Sequence, residues 1–227
     1  MSETDRIARA YRDRDERAAA RWDLRNAGNQ HILSERRDKT RRLLEREGWL
    51  PLGDKRVLDV GSGSGAELAW FGELGASESG LVGIDLLPER VELARRSFPQ
   101  LEFHAGNAEH LPFPDGGFDL VLAFTVFSSV LDPGMAANVA SEIRRVMRPG
   151  GSLLWYDFRY DSPSNPNVRG VRAARVRALF PDLRGELIGL TLLPPLARHL
   201  GPLTPVAYPA LAWMPPLRSH LLGLLRK

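Results

Sequence analysis

The chain contains no cysteine. That removes disulfides, thiolate metal sites and cysteine nucleophiles together. No run of about 18 uncharged apolar residues occurs, so no transmembrane helix is expected. Met1-Ser2-Glu3-Thr4-Asp5-Arg6 lacks the basic-then-apolar order of a secretory signal. The expectation is a cytoplasmic protein that does not insert into a membrane. Internal repeats and low-complexity tracts are absent from the 227 residues.

A dense basic stripe is also missing. The net charge is +3, yet residues 1–56 hold 15 Lys+Arg against 11 Asp+Glu, leaving 16 against 17 for the rest. The excess is interleaved with acids at i,i+4 spacings such as Arg9/Asp13, the pattern of a solvated helix face. A nucleic-acid groove calls for a denser stripe with aromatic platforms, so no nucleic-acid partner is expected. No carboxylate cluster suggests a metal site.

What is present is an apolar content of 43%, enough for one sizeable core, and one informative stretch. Val57-Leu58-Asp59-Val60 runs into Gly61-Ser62-Gly63-Ser64-Gly65, and a helical segment follows. Twenty residues after the glycines comes Gly83-Ile84-Asp85. Strand, glycine loop, helix, strand and acid are the first βαβ unit of a nucleotide-type site. Glycines let backbone pass close to a ligand, and Asp85 can accept from both hydroxyls of a ribose. The spacing Gly61-x-Gly63-x-Gly65 differs from the dinucleotide pattern, and no Lys follows it, which excludes a P-loop.

Along the chain, residues 5–21 and 31–47 read as helices, forming an N-terminal cap over 1–50. A core over 51–227 follows. Its strands fall at 56–60, 81–84, 101–105, 118–124, 152–158 and 186–193, with a last one over 217–227. Helices open at Pro88, run over 134–147 and 169–180, and alternate with the strands, which implies a parallel α/β sheet. Residues 194–216 hold seven of the 17 prolines, too many for one long helix, and are read as a lid over the site.

Asp59-x-Gly61-x-Gly63-x-Gly65 resembles the motif of class I S-adenosylmethionine (SAM) methyltransferases. Ala105-Gly106-Asn107-Ala108-Glu109-His110-Leu111-Pro112-Phe113, Phe118-Asp119-Leu120-Val121 and Arg145-Val146-Met147-Arg148-Pro149-Gly150-Gly151 extend the likeness. Together they resemble the methyltransferase type 11 group, in a bacterial small-molecule branch. The resemblance implies a Rossmann-like, mainly parallel seven-stranded sheet with helices on both faces, and SAM as cofactor. It implies that Gly61, Ser62, Gly63 and Gly65 carry the cofactor loop and that Asp59 fixes that loop or receives the cofactor ammonium. Asp85 would take the ribose and Leu86 the adenine. Asn107, with Ala108 and Glu109, stands where the group has Asp facing the adenine amine. By the same resemblance Phe124 would border the sulfonium, and Tyr11 and Arg14 would cap the methionine carboxylate.

For the acceptor, Phe127, Ser128, Ser129, Tyr156, Arg159, Asn165 and Arg169 lie at or beyond the ends of the fourth and fifth strands, where open α/β sheets bind ligands. Asp157, Asp132 and His31 are the candidate bases. The expected reaction is methylation of a small molecule, with O-methylation of a sugar or other hydroxyl favoured. N-methylation of a small heterocycle or amine is the alternative. Further behind stand a non-catalytic SAM-fold binding protein and an RNA methyltransferase.

Overall fold

The computed structural model describes residues 2–18, 23–163 and 165–227, without the side chains of 14–18. Seven strands form one sheet in the order β3-β2-β1-β4-β5-β7-β6. They are β1 (Val57–Val60), β2 (Leu81–Asp85), β3 (Glu102–Ala105), β4 (Phe118–Phe124), β5 (Met147–Phe158), β6 (Leu187–Leu192) and β7 (Arg218–Arg226). All are parallel except β7, which pairs antiparallel with β5 and β6. β1 is buried at every position and β4 at all but Asp119, because helices cover both faces.

One face carries α5 (Pro133–Val146), α6 (Ala173–Leu179) and, through Ile7, α1 (Glu3–Ala18). The other carries α2 (Ala27–Arg46), α3 (Ala66–Glu73) and α4 (Pro88–Ser97), whose Leu44, Phe71 and Val91 pack on the sheet. Between β6 and β7 the chain makes α7 (Pro194–His199) and α8 (Thr204–Ala212). Prolines sit in the first turn of each, where a missing N–H costs nothing.

The structure shifts several boundaries for local reasons. α2 begins four residues before the expected 31, because Asn26 caps it and accepts from the Asn29 N–H at 3.2 Å. α6 is shorter than 169–180: the N–H of Val171 reaches Phe158 O at 2.7 Å and that of Arg169 reaches Ser128 O at 2.9 Å. Those bonds hold residues 169–171 extended beside the end of β5. β5 starts at Met147, five residues early, with a register shift against β4 between Phe118 and Leu120. α1 begins at Glu3, and the expected end at residue 21 lies outside the described residues.

Candidate active site

A cleft of about 770 Å³, counting the solvent at its mouth, opens where β1, β2 and β4 end. Val60 and Gly61 leave β1 at its floor, Asp85 and Leu86 leave β2, Gly106 to Ala108 follow β3, and Phe124 to Val126 leave β4. The crevice beyond the carboxyl ends of parallel strands, where neighbouring crossovers diverge, is where such sheets bind ligands. The glycine loop needs its glycines for backbone reasons. Gly65 caps α3 with φ of 82°, and a Cβ there would meet Phe103 Cζ at 2.6 Å.

Asp85 is buried at the cleft wall. Its Oδ2 accepts the Gly63 N–H at 2.8 Å and its Oδ1 the Leu87 N–H at 2.9 Å. Each carboxylate oxygen can accept more than one bond, so the same group that shapes the glycine loop is set to receive a diol. Asp59 lies beneath the loop and does not line the cleft. Burial pushes its carboxyl well above the usual carboxylate range; the charges of Glu67 and Asp85 add to this and Arg36 opposes it.

α1 roofs the cleft with Ile7 and Tyr11. Arg6 donates to Ser129 O at 2.6 Å and to Asn167 Oδ1 at 2.9 Å, and Glu3 Oε1 accepts the Leu131 N–H at 2.6 Å. On the opposite side Arg12 pairs with Glu89 at 3.0 Å and the Arg90 guanidinium lies 4.4 Å from the Tyr11 ring centre. α1 therefore spans from α4 to the loop after β4.

Of the residues the sequence pointed to, Tyr11, Gly61, Asp85, Leu86, Asn107, Ala108, Phe124 and Ser129 line the cleft. Ser62, Gly63 and Gly65 form the loop behind Gly61. Asn107 Oδ1 accepts the Glu109 N–H at 3.0 Å, and Glu109 turns to Asn138 at 2.9 Å rather than into the cleft. Asn165 lines a small recess next to the cleft with Arg6, Tyr11 and Ser129. Arg14 lies outside the described side chains.

The other candidates are used elsewhere, each for a visible reason. Asp157 is fully buried and clasps backbone: it accepts the Ser128 N–H at 3.0 Å and the Phe158 N–H at 2.7 Å. Burial pushes its carboxyl up to about 6, against those hydrogen bonds. Asp132 caps α5 through the Met135 N–H at 2.7 Å. His31 sits inside α2, its ring 4.2 Å from that of Tyr208. Phe127 and Ser128 are buried. Tyr156 faces α2, bonding Thr191 Oγ1 at 2.8 Å and stacking on His220 at 4.6 Å; burial pushes its hydroxyl up to about 12. Arg159 lies over Tyr160, and Arg169 is exposed. Residues 194–216 pack on α2 and β6 and contribute nothing to the cleft lining.

Sequence reasoning missed Ile7, Arg90, Thr125, Val126 and Met135, which all line the cleft. Thr125 has φ of 55°, a conformation costly for a β-branched residue and typical of functional sites. Its N–H is held by Tyr156 O at 2.7 Å. Arg90 follows Asp85 by five residues in a helix opened by proline, and that spacing was the available signal.

Strand order, cleft position and glycine loop together define the class I methyltransferase fold, whose cofactor is SAM. More particularly, residues 58–155 match the model of the methyltransferase domain family. Among curated proteins, demethylmenaquinone methyltransferase of Chlorobaculum parvum is 30% identical over 132 residues, 58% of this chain and 52% of that protein. Fatty-acid O-methyltransferase of Mycolicibacterium smegmatis is 40% identical over 113 residues, 48% of this chain and 40% of that protein. The chain thus spans about half the length of the curated relatives it matches. A SAM-dependent methyltransferase of Archaeoglobus fulgidus superposes with a TM-score of 0.60 at 15% identity, over 84% of this chain and 94% of that one.

The residues present fit SAM. The buried Ser62 Oγ has no hydrogen-bond partner among the described residues. A Cβ on Gly61 would meet Val126 at 2.9 Å, so only glycine leaves the loop its close path past the cleft.

Proposed function

We propose that this protein transfers the methyl group of SAM to an oxygen of a small molecule with an apolar body. Bound SAM supplies an activated methyl on a sulfonium. The protein's own part is positioning and exclusion of water. Asp85 orients the ribose through charge-assisted hydrogen bonds. Ser62 and the Gly61–Gly65 backbone hold the methionine end, with Asp59 below as a buried acid that gains from a nearby cation. Phe124, Val126, Ile7 and Met135 give an apolar wall beside the reacting centre, and the roof formed by α1 keeps solvent out.

The observation that carries the oxygen-acceptor reading is the pairing of the Tyr11 hydroxyl with Ser129 Oγ at 2.8 Å at the cleft mouth. These hydroxyls can both donate and accept, so they can hold an acceptor hydroxyl and lead its proton towards solvent. The relatives named for fatty-acid and demethylmenaquinone substrates support an apolar acceptor.

The test is methyl transfer from radiolabelled SAM to panels of long-chain acids, quinols, glycosides and amines, with calorimetry of SAM binding in parallel. Transfer to an acid or hydroxyl in the apolar panels is the expected result. Transfer confined to amines would overturn the oxygen reading, and absence of SAM binding would overturn the cofactor reading.

A further inference from the structure

Four large apolar side chains stand open to solvent in the short excursion between β6 and β7. They are Leu203 at 69% exposure, Val206 at 78%, Trp213 at 80% and Met214 at 47%. No charged residue occurs from Gly201 to Leu217. The inner side of α8 is already used: Tyr208 and Ala212 pack with Ile32 of α2 and Leu192 of β6. A helix apolar all round is ordinarily covered all round, yet the outer side of α8 is bare. The excursion is firmly seated as well. A Cβ on Gly28 would fall 2.2 Å from Ala197 O, so α2 and α7 meet backbone to backbone. The Tyr208 hydroxyl bridges Glu35 at 2.7 Å and the Leu192 N–H at 3.1 Å.

Cations flank this surface. Arg159 and Arg218 meet over Gly189, where a Cβ would lie 3.2 Å from Arg159 Nη1 and 3.3 Å from Arg218 Cδ. Arg218 donates to Ala212 O at 2.7 Å, which fixes it at the root of the apolar excursion. Among the described residues neither arginine is paired with a carboxylate. β6 runs parallel to β4 and β5, so the excursion leaves the same end of the sheet at which the cleft opens.

We infer that the 201–217 excursion docks on the surface of an anionic lipid bilayer, its exposed apolar side chains entering the headgroup boundary and Arg159 and Arg218 facing lipid phosphates. Apolar anchors that include tryptophan, edged by unpaired cations, match the chemistry of that interface. A two-fold contact between copies fits less well. It would set the arginines of both copies around one patch whose own segment offers no carboxylate to offset them. This inference does not rest on the acceptor, because docking is read without turnover.

The experiment is vesicle flotation of the full chain, with phosphatidylcholine alone and with phosphatidylcholine and phosphatidylglycerol in equal parts. The double variant Val206→Asp/Trp213→Asp is run beside it. Both side chains are exposed, so the variant should fold, which melting and SAM calorimetry check. The expected result is binding to the anionic vesicles at least ~10-fold stronger than to the neutral ones, weakened by salt and lost in the double variant. No flotation with anionic vesicles overturns the inference, as does undiminished flotation of the variant. A wild-type dimer by light scattering that the variant breaks, without vesicle binding, also overturns it and assigns the patch to self-association.

Discussion

The Tyr11 hydroxyl lies 2.8 Å from Ser129 Oγ, and this bond joins the first helix to the loop after β4 across the cleft mouth. The two residues are 118 positions apart, so the contact exists only because the sheet brings them together. It pins α1 as a roof over part of the cleft. Tyr11→Phe keeps the ring against Arg90 and removes only the hydroxyl. One such hydrogen bond is worth about 1 kcal/mol, so SAM should dissociate ~2- to 10-fold faster in stopped-flow measurements, with little change in melting temperature. An unchanged off-rate would mean that α1 does not control access.

Asp85 shapes the glycine loop and, in the proposed reading, also holds the cofactor ribose. Asp85→Ala removes the acceptor of the Gly63 and Leu87 N–H groups as well as the expected ribose bonds. Hydrogen bonds to a charged group are worth roughly 1.5–3 kcal/mol, so SAM affinity by calorimetry should fall at least ~10-fold. Asp85→Asn, which keeps one acceptor oxygen, should fall in between. Wild-type affinity in the alanine variant would remove Asp85 from the cofactor site.

The glycine loop offers an internal comparison. Gly63 and Gly65 both have positive φ, 54° and 82°, but a Cβ on Gly63 meets nothing within 4 Å, whereas one on Gly65 strikes Phe103. Gly63→Ala should cost only the left-handed strain, on the order of 1–2 kcal/mol. Gly65→Ala should cost clearly more in urea unfolding. Equal costs would show that the Phe103 ring yields freely.

Asp157 gives a pH dependence with a definite sign. Its folded pKa is raised, to about 6. The contribution to stability is therefore fully present below the unfolded value and is lost as pH rises through 6. Asn at this position does not titrate. The stability difference between wild type and Asp157→Asn should thus move against the wild type by roughly 1–2 kcal/mol between pH 5 and 7.5. A difference constant over that range would show that the clasp does not titrate there.

His31 and Tyr208 separate packing from catalysis. Their rings are 4.2 Å apart, away from the cleft lining. His31→Ala should leave turnover within about twofold of wild type. Tyr208→Phe strips the partner from the Leu192 N–H and from Glu35, and should lower stability by about 1–3 kcal/mol. A large loss of turnover with folding intact in His31→Ala would restore the histidine as a base.

The sequence by itself determined the features written into contiguous residues. The glycine loop, the acid ending β2 and the alternation of apolar strands with amphipathic helices obey local rules of backbone freedom and hydrophobic period. They placed Gly61, Asp85, Leu86 and Phe124 in the lining of the cleft. Only the tertiary structure decided which polar groups remained for chemistry. Asp132 and Asp157 look alike in the sequence to any cleft acid, but one caps a helix and the other clasps a buried loop, because backbone N–H groups brought near them by folding needed acceptors. Likewise the prolines of 194–216 signalled short elements, but packing through Gly28 and Tyr208 set them against α2 instead of over the cleft. The roof came from α1, whose Glu3–Arg6 pair reads locally as an ordinary solvated ion pair. Its role depends on Ser129, Leu131 and Asn167, residues more than a hundred positions away that no local pattern connects to it.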